Sequence, residues 1–338
     1  MILVDAIYIN SFGGKVILEL ILEELIKSRV SFHIFFDSRI SSKYLHIINQ
    51  SDYTVVCASH KSRKFLYIKK INKFSSILCL SNIPPPINIS VNTSIFFHNR
   101  LLLNPLTNTV SFKHRIVNFF KFSYLKYYNK NDYNWIVQTP LMNQILRKSL
   151  NINSEKIYTF SIFKEFFKNN LTKKITNNFV YASSGVSHKN HIRLIEAFIK
   201  ASNKTDKEIR LQLTLDKAEL PKYIYPINLK VEFHGILCLN KINELYNSCE
   251  FAIYPSLVES FGLPLLEAAN HGCKVIASDL PYVHEIIEPS LTFDPYSVES
   301  ISDSILKAIN EDLPETKVLV ENKLDNFIDF IISQDVQQ

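Results

Sequence analysis

Two glutamates, Glu259 and Glu267, flank a Phe261-Gly262-Leu263-Pro264 turn, a pattern that suits a ligand with charge at its centre and hydroxyls on either side. Proline suits the first position of a helix and Gly272 the position just past its end. A helix is therefore expected to start at the turn, with Glu267 in its first turn and Glu259 in the loop before it. Unpaired N–H groups near residues 261 to 263 and the helix dipole would favour an anion there. Ionised carboxylates, in turn, accept paired hydrogen bonds from vicinal diols. A sugar nucleotide carries a ribose diol, a diphosphate and sugar hydroxyls in that order. The same residues also fit a plainer reading, in which Glu267 complements the helix start and Glu259 is a solvated loop charge.

Further candidates follow strand-like runs. Ser183-Ser-Gly-Val-Ser-His-Lys189-Asn190 ends one run and leads into a helical pattern, which places Lys189 where a flexible point charge could hold a diphosphate. Gly13-Gly14 follows the opening run Ile2 to Ile9 and forms a turn that a phosphate could approach, with Lys15 beside it, although a tight turn without a ligand has the same signature. His98, with Asn99 and Arg100, falls at the carboxyl end of another run, where open α/β sheets bind ligands; a structural histidine fits there equally. There is no C-x-x-C and no D-x-D pair, so neither a zinc site nor a bridging divalent metal is expected.

These positions need strands to carry them. Short apolar runs at Ser31 to Phe36, Tyr53 to Ala58, Ser76 to Leu80, Thr93 to His98, Trp135 to Gln138, Lys156 to Phe160, Phe179 to Ala182, Val231 to His234, Phe251 to Pro255 and Leu291 to Phe293 alternate with helical or basic segments. That alternation predicts an open, doubly wound α/β architecture. At 338 residues the chain has room for two such domains. The basic, asparagine-rich stretch Phe167 to Asn178 is the expected linker.

Charge divides along the same line. Residues 1–170 carry 22 Lys and Arg against 9 Asp and Glu, while 171–338 carry 16 against 23. The basic half therefore faces a polyanion or an anionic membrane more readily than the acidic half. Two basic segments stand out. One spans Lys61 to Phe74 and reads most simply as a solvated helix face; the other spans residues 111 to 130, where Ile116, Phe120, Tyr124 and Tyr127 or Tyr128 recur at helical spacing among lysines. The second suits a helix lying on a membrane surface. No apolar stretch reaches the length of a membrane span, and the scattered cysteines suit a reducing compartment, so a cytoplasmic or peripheral protein is expected.

The run Glu259-Ser-Phe-Gly-Leu-Pro-Leu-Leu-Glu267, preceded by Tyr254-Pro-Ser-Leu and followed by Gly272-Cys-Lys-Val-Ile-Ala-Ser, resembles the E-x7-E motif of family 4 of the retaining glycosyltransferases. The resemblance implies a GT-B fold: two doubly wound Rossmann-like domains facing each other across a cleft. Residues 1–170 would bind the acceptor, 171–320 the nucleotide-sugar, and 321–338 would form a helix crossing back to the first domain. By position, Glu259 would contact the transferred sugar, Glu267 the ribose, and the backbone of Phe261, Gly262 and Leu263 the sugar and phosphate oxygens. Gly13 and Gly14 would face diphosphate and acceptor, Lys189 would neutralise the leaving diphosphate, and His98 would lie near the transferred sugar. Many members carry an arginine shortly before that lysine; here Ser183 or Ser184 takes its place, and Lys15 and Arg100 are candidates to compensate. The implied activity is transfer of a hexosyl group to a lipid-diphosphate-linked oligosaccharide in bacterial O-antigen or capsule synthesis, without metal, cofactor or nucleic acid. A sugar-nucleotide epimerase and a non-catalytic scaffold on the same fold are the competing readings.

Overall fold

The computed structural model describes residues 1–10, 12–40, 44, 48, 52–103, 112–165 and 174–336. Two compact units emerge: residues 1–106, 113–165 and 321–338 form the first, and 107–112 with 166–320 the second.

In the first unit, β1 (Ile2–Ala6), β2 (Phe32–Asp37), β3 (Tyr53–Val56), β4 (Ser76–Cys79), β5 (Asn92–Phe96), β6 (Asn134–Val137) and β7 (Ile157–Thr159) form a parallel sheet in the order β3-β2-β1-β4-β5-β6-β7. Helices α1 (Phe12–Lys27), α2 (His60–Lys70), α3 (Phe112–Tyr128) and α4 (Pro140–Leu150) accompany it. Strand β1 is buried along its whole length, as a parallel strand covered on both faces must be.

Yet β1 contains Asp5. Its carboxylate is paired with Arg63 of α2, Nε to Oδ2 at 2.8 Å, and accepts the Tyr67 hydroxyl at 2.6 Å. Arg63 also donates to the carbonyls of Pro84 at 2.7 Å and Ile83 at 3.3 Å. The basic segment expected as a solvated face is therefore divided: Lys61, Lys64 and Lys69 are exposed, but Arg63 is 1% exposed and is a core residue. Removing one partner of such a pair strands the other. Arg63→Met should cost roughly 3 kcal/mol of stability, read as a lower chemical-denaturation midpoint, and Asp5→Asn in the same chain should recover part of it.

The second unit contains β8 (Ile175–Tyr181), α5 (His191–Ser202), β9 (Ile209–Leu213), β10 (Leu229–Phe233), α6 (Leu239–Ser248), β11 (Cys249–Tyr254), α7 (Leu263–Asn270), β12 (Lys274–Ser278), α8 (Pro281–His284), β13 (Ile287–Glu288), β14 (Leu291–Phe293), α9 (Val298–Asn310) and β15 (Lys317–Val318). Its parallel sheet runs β10-β9-β8-β11-β12-β14, and β13 pairs antiparallel with β15. From β8 the chain goes to β9 on one side, and β11 later pairs on the other. The strand order thus reverses between β8 and β11, and the loops after these two strands emerge side by side at the sheet's carboxyl edge, where such folds bind ligands.

Two expectations need correction. Residues Ile175 to Asn178 belong to β8 rather than to a linker, and 167–173 lie outside the described residues. Strand β9 was not anticipated: its Gln212 interrupts the apolar run but is buried and satisfied by Asn178 at 3.3 Å and His234 at 2.5 Å. Asn177 has φ 55°, and the β8–β11 register shifts beside it, so this position is a bulge.

The closing helix α10 (Leu324–Val336) belongs to the first unit. Its Phe327, Ile328 and Ile331 are buried in one cluster with Ile2, Val4 and Ile34. The Gln334 side-chain oxygen accepts from Asn92 at 2.8 Å and Asn134 at 3.0 Å, and Asp335 takes the amino group of Met1 at 3.2 Å.

Candidate active site

The loop from β8 to α5 makes a short 3-10 turn, Ser187–Lys189, and reverses at Asn190 in a left-handed conformation with φ 63°. Buried Asn190 fixes that reversal, because its side-chain nitrogen donates to the carbonyls of Pro255 at 3.2 Å and Pro295 at 2.7 Å. The loop is thereby stitched to the segment that follows β11. A second stitch runs from the Leu257 N–H to the His188 carbonyl at 2.9 Å. The Tyr181 hydroxyl adds a third, donating to the Lys189 carbonyl at 2.9 Å and lying 2.9 Å from the Ser256 hydroxyl.

This framework brings Lys189 and Glu259 together. The lysine Nζ lies 2.5 Å from Glu259 Oε1 and 5.8 Å from the centre of the Tyr254 ring, whose hydroxyl donates to the same carboxylate at 3.1 Å. The lysine and glutamate side chains are only 15% and 13% exposed, so the pair is shielded from water. Burial opposes ionisation of Glu259, but the Lys189 charge and the hydrogen bonds from Lys189 and Ser256 outweigh it, holding the carboxyl below its ordinary range.

Helix α7 starts where the spacing places it. Gly262 is its N-cap at φ 88°, Pro264 lies in the first turn, and Gly272 leaves the helix at φ 70°. The first N–H groups of a helix lack intrahelical acceptors and point toward whatever lies before the helix. At Gly262 an added Cβ would lie 3.1 Å from Leu265 Cδ1, in a conformation that side chains avoid. Gly262→Ala should therefore cost about 1–2 kcal/mol and lower the melting temperature, with a larger loss of ligand affinity because the turn itself would shift.

Glu267 lies in the second turn of α7, not the first, since the helix begins at Leu263. It carries no ion pair among the described residues. Burial pushes its carboxyl up to about 7, opposed by a hydrogen bond from the Tyr246 hydroxyl. Two glutamates of one motif are thus held in opposite electrostatic states: Glu259 is ionised against a cation, and Glu267 is poised near neutrality.

Gly13, Gly14 and His98 belong to the first unit, as do Lys15 and Arg100. Gly13 and Gly14 sit within the first turn of α1 instead of in a loop before it, and Ser11 lies outside the described residues. A Cβ added at Gly13 meets nothing within 4 Å. His98 follows β5, and its N–H donates to the Asn82 side-chain oxygen at 2.6 Å. Its Nε2 lies 3.2 Å from both the Leu80 carbonyl and Asn82 Nδ2. Burial drives the imidazole down to about 4, so it is neutral at pH 7. Asn82 adopts φ 67° to hold it. In place of the missing arginine, the Ser183 N–H binds Thr214 Oγ1 at 2.9 Å and the Ser184 carbonyl lies 2.9 Å from His191 Nε2.

Sequence reasoning passed over Asn190, Tyr181, Tyr246, Tyr254 and Ser256. Only Tyr254 and Ser256 carried a signal, by standing next to the glutamate motif.

Residues 162–325 match the family described as glycosyl transferases group 1. The matched segment is similar to the group 1 glycosyltransferases. A curated relative, the O-antigen chain mannosyltransferase RfbU of Salmonella typhimurium, is 28% identical over 178 residues, 50% of this chain and 48% of the relative. The serotype-specific mannosyltransferase WbdA of Escherichia coli is 35% identical over 81 residues, 24% of this chain and 10% of that protein. The chain therefore spans about half, or less, of the curated relatives it matches. Among solved structures, WaaG, a glycosyltransferase involved in lipopolysaccharide biosynthesis, superimposes with a TM-score of 0.61 at 12% identity, covering 92% of this chain and 91% of WaaG. The matched segment thus sits in a chain with the GT-B fold, matched over nearly its full length.

Proposed function

We propose that this protein is a retaining glycosyltransferase that moves a hexosyl group from a nucleotide-sugar to an oligosaccharide. The observation that carries this reading is the Lys189–Glu259 pair beside the Gly262 helix start, with Glu267 a turn further along α7. Lys189 and the helix N–H groups would receive the charge that builds on the departing diphosphate, the largest expected catalytic contribution. Glu259 would orient the sugar hydroxyls and Glu267 the ribose diol. The acceptor hydroxyl attacks the anomeric carbon from the leaving-group face: its new C–O bond forms as the C–O bond to phosphate breaks, and its proton passes to the departing phosphate oxygen. His98, neutral and fixed, exposed Gly13 and buried Gly14 are assigned to the first unit's share of substrate binding. No divalent metal is proposed, so a chelator should leave the rate unchanged.

The names of the curated relatives make a mannosyl donor the first to test. Acceptor-dependent release of a nucleoside diphosphate is the expected result. Release without acceptor, or isomerised donor, would favour an epimerase; binding without turnover would favour a scaffold.

The acceptor is proposed to be lipid-diphosphate-linked, with the protein peripheral on the cytoplasmic face of the membrane. Among the described residues no helix is long and apolar enough to cross a bilayer. Helix α3 exposes Ile116, Val117, Phe119, Phe120 and Tyr127 alongside Lys121 and Lys126, a combination suited to an anionic interface. Tyr124 does not share that exposure, being packed against His60 and Tyr128. Phe119→Ser with Phe120→Ser should abolish co-sedimentation with phosphatidylglycerol vesicles; unchanged sedimentation would remove the membrane from the proposal.

A further inference from the structure

At the amino edge of the first unit's sheet, the segments entering β6 and β7 and the end of α4 line a half-open cavity of about 950 Å³. Ligand sites in proteins span roughly 300–1,000 Å³, so the space suits a body larger than a single ion. The residues described above lie elsewhere: His98 follows a strand's carboxyl end, whereas these loops precede strands.

The lining is chemically one-sided. It holds Lys130, Arg147, Lys148 and Lys156, five carboxamides, Ser154 and Ile152, and no carboxylate. Among the described residues none of the four cations is in an ion pair. Arg147 and Lys148 occupy the last turn of α4, where cations offset the helix dipole. Lys130 and Lys156 come from other segments, and the dipole does not account for them. Lys130 is held in place, its Nζ donating to the Ile89 carbonyl at 2.9 Å and lying 5.8 Å from the centre of the Tyr133 ring. Like charges gathered at one cavity repel unless an anion joins them. Asn129 adds an independent sign, because its side-chain oxygen is buried there with no hydrogen-bond donor. A buried acceptor without a partner is costly and asks for a ligand O–H.

We propose that this cavity is a second binding site, for a phosphate carried on a hydroxyl-bearing body. Such a group is found on a sugar phosphate or on the glycerophosphate headgroup of an anionic lipid. The site stands whether or not the transferase reading holds.

Titration calorimetry on the full chain with glucose 1-phosphate, glucose and inorganic phosphate tests it, beside sedimentation with phosphatidylcholine vesicles with and without phosphatidylglycerol. Glucose 1-phosphate should bind saturably, and Arg147→Glu with Lys156→Glu should weaken it at least tenfold at an unchanged melting temperature. If that variant does not fold, Arg147→Gln with Lys156→Gln serves in its place. Asn129→Ala should erase the advantage of the sugar phosphate over inorganic phosphate. If only phosphatidylglycerol vesicles bind, and the double variant releases them while α3 is intact, the phosphate is a headgroup. Binding that survives the double variant, or no binding of either probe, overturns the proposal.

Discussion

Replacing Lys189 by alanine should reduce kcat/KM by about 10²–10³-fold, the range seen when one preorganised donor to a developing oxyanion is lost. The effect should be large here because Lys189 is the cation held against Glu259, whereas Arg193 turns its guanidinium to the Asn190 side chain at 2.7 Å. The substitution has a second consequence. In the free protein Lys189 balances the shielded carboxylate of Glu259, so alanine strands that charge, at a cost of about 2 kcal/mol. The two effects separate in a double variant. Lys189→Ala with Glu259→Gln should regain stability and yet be far less active than Glu259→Gln alone, whereas a purely structural role for Lys189 would leave those two variants equally active. The pair also sets a pH limit. Because the folded protein holds Glu259 below its ordinary value of 4.5, its contribution to stability is full above that value and is lost as the pH falls through the lower folded value. The double variant should lack that component of acid sensitivity in denaturation midpoints measured from pH 6 downward.

Glu267 should behave in the opposite sense. With its carboxyl pushed up to about 7, it is substantially protonated in the free protein at neutral pH. A protonated carboxyl cannot accept both hydrogen bonds of a diol, so nucleotide affinity should fall as the pH drops below about 7, approaching tenfold per unit. Stability runs the other way. The folded state binds this proton more tightly than the unfolded chain, so stability is greatest below the ordinary value of 4.5 and declines as the pH rises through 7. Glu267→Gln removes the ionisation and should stabilise the free protein at pH 8 by about 2–3 kcal/mol while abolishing the pH dependence of nucleotide binding. Calorimetric titration of the nucleotide at several pH values, beside melting curves of the unliganded protein, reads both. A wild-type affinity that is flat between pH 5 and 8 would remove Glu267 from the diol.

How much of this was legible in the chain follows from the physics of each signal. The α7 start was readable because glycine and proline leave few backbone choices, and the run beneath it had the apolar continuity of a covered strand. Strand β9 was not, since Gln212 is acceptable inside a sheet only through Asn178 and His234, partners far away in sequence. Arg63 looked like one basic residue among many, because its true partner, Asp5, is 58 positions distant. The Lys189–Glu259 pair had a sequence signal for each residue but none for their meeting, which depends on β8 and β11 lying side by side. Asn190 stood beside Lys189 in the quoted run but gave no sign of its own role, which rests on two carbonyls, one of them 105 residues away.

The placement of α10 bears on how the chain is made. During synthesis the second unit has all its residues before the first does, since the helix that packs with Ile2, Val4 and Ile34 follows it in the chain. Nascent chains ordinarily fold from the amino end. Here the opening sheet has to wait through the translation of an entire neighbouring unit, with α1 packed on that face but the part that α10 completes still uncovered. A ribosome-stalled chain ending before Leu324 should therefore be a chaperone client, and extension through Val336 should be the event that frees it.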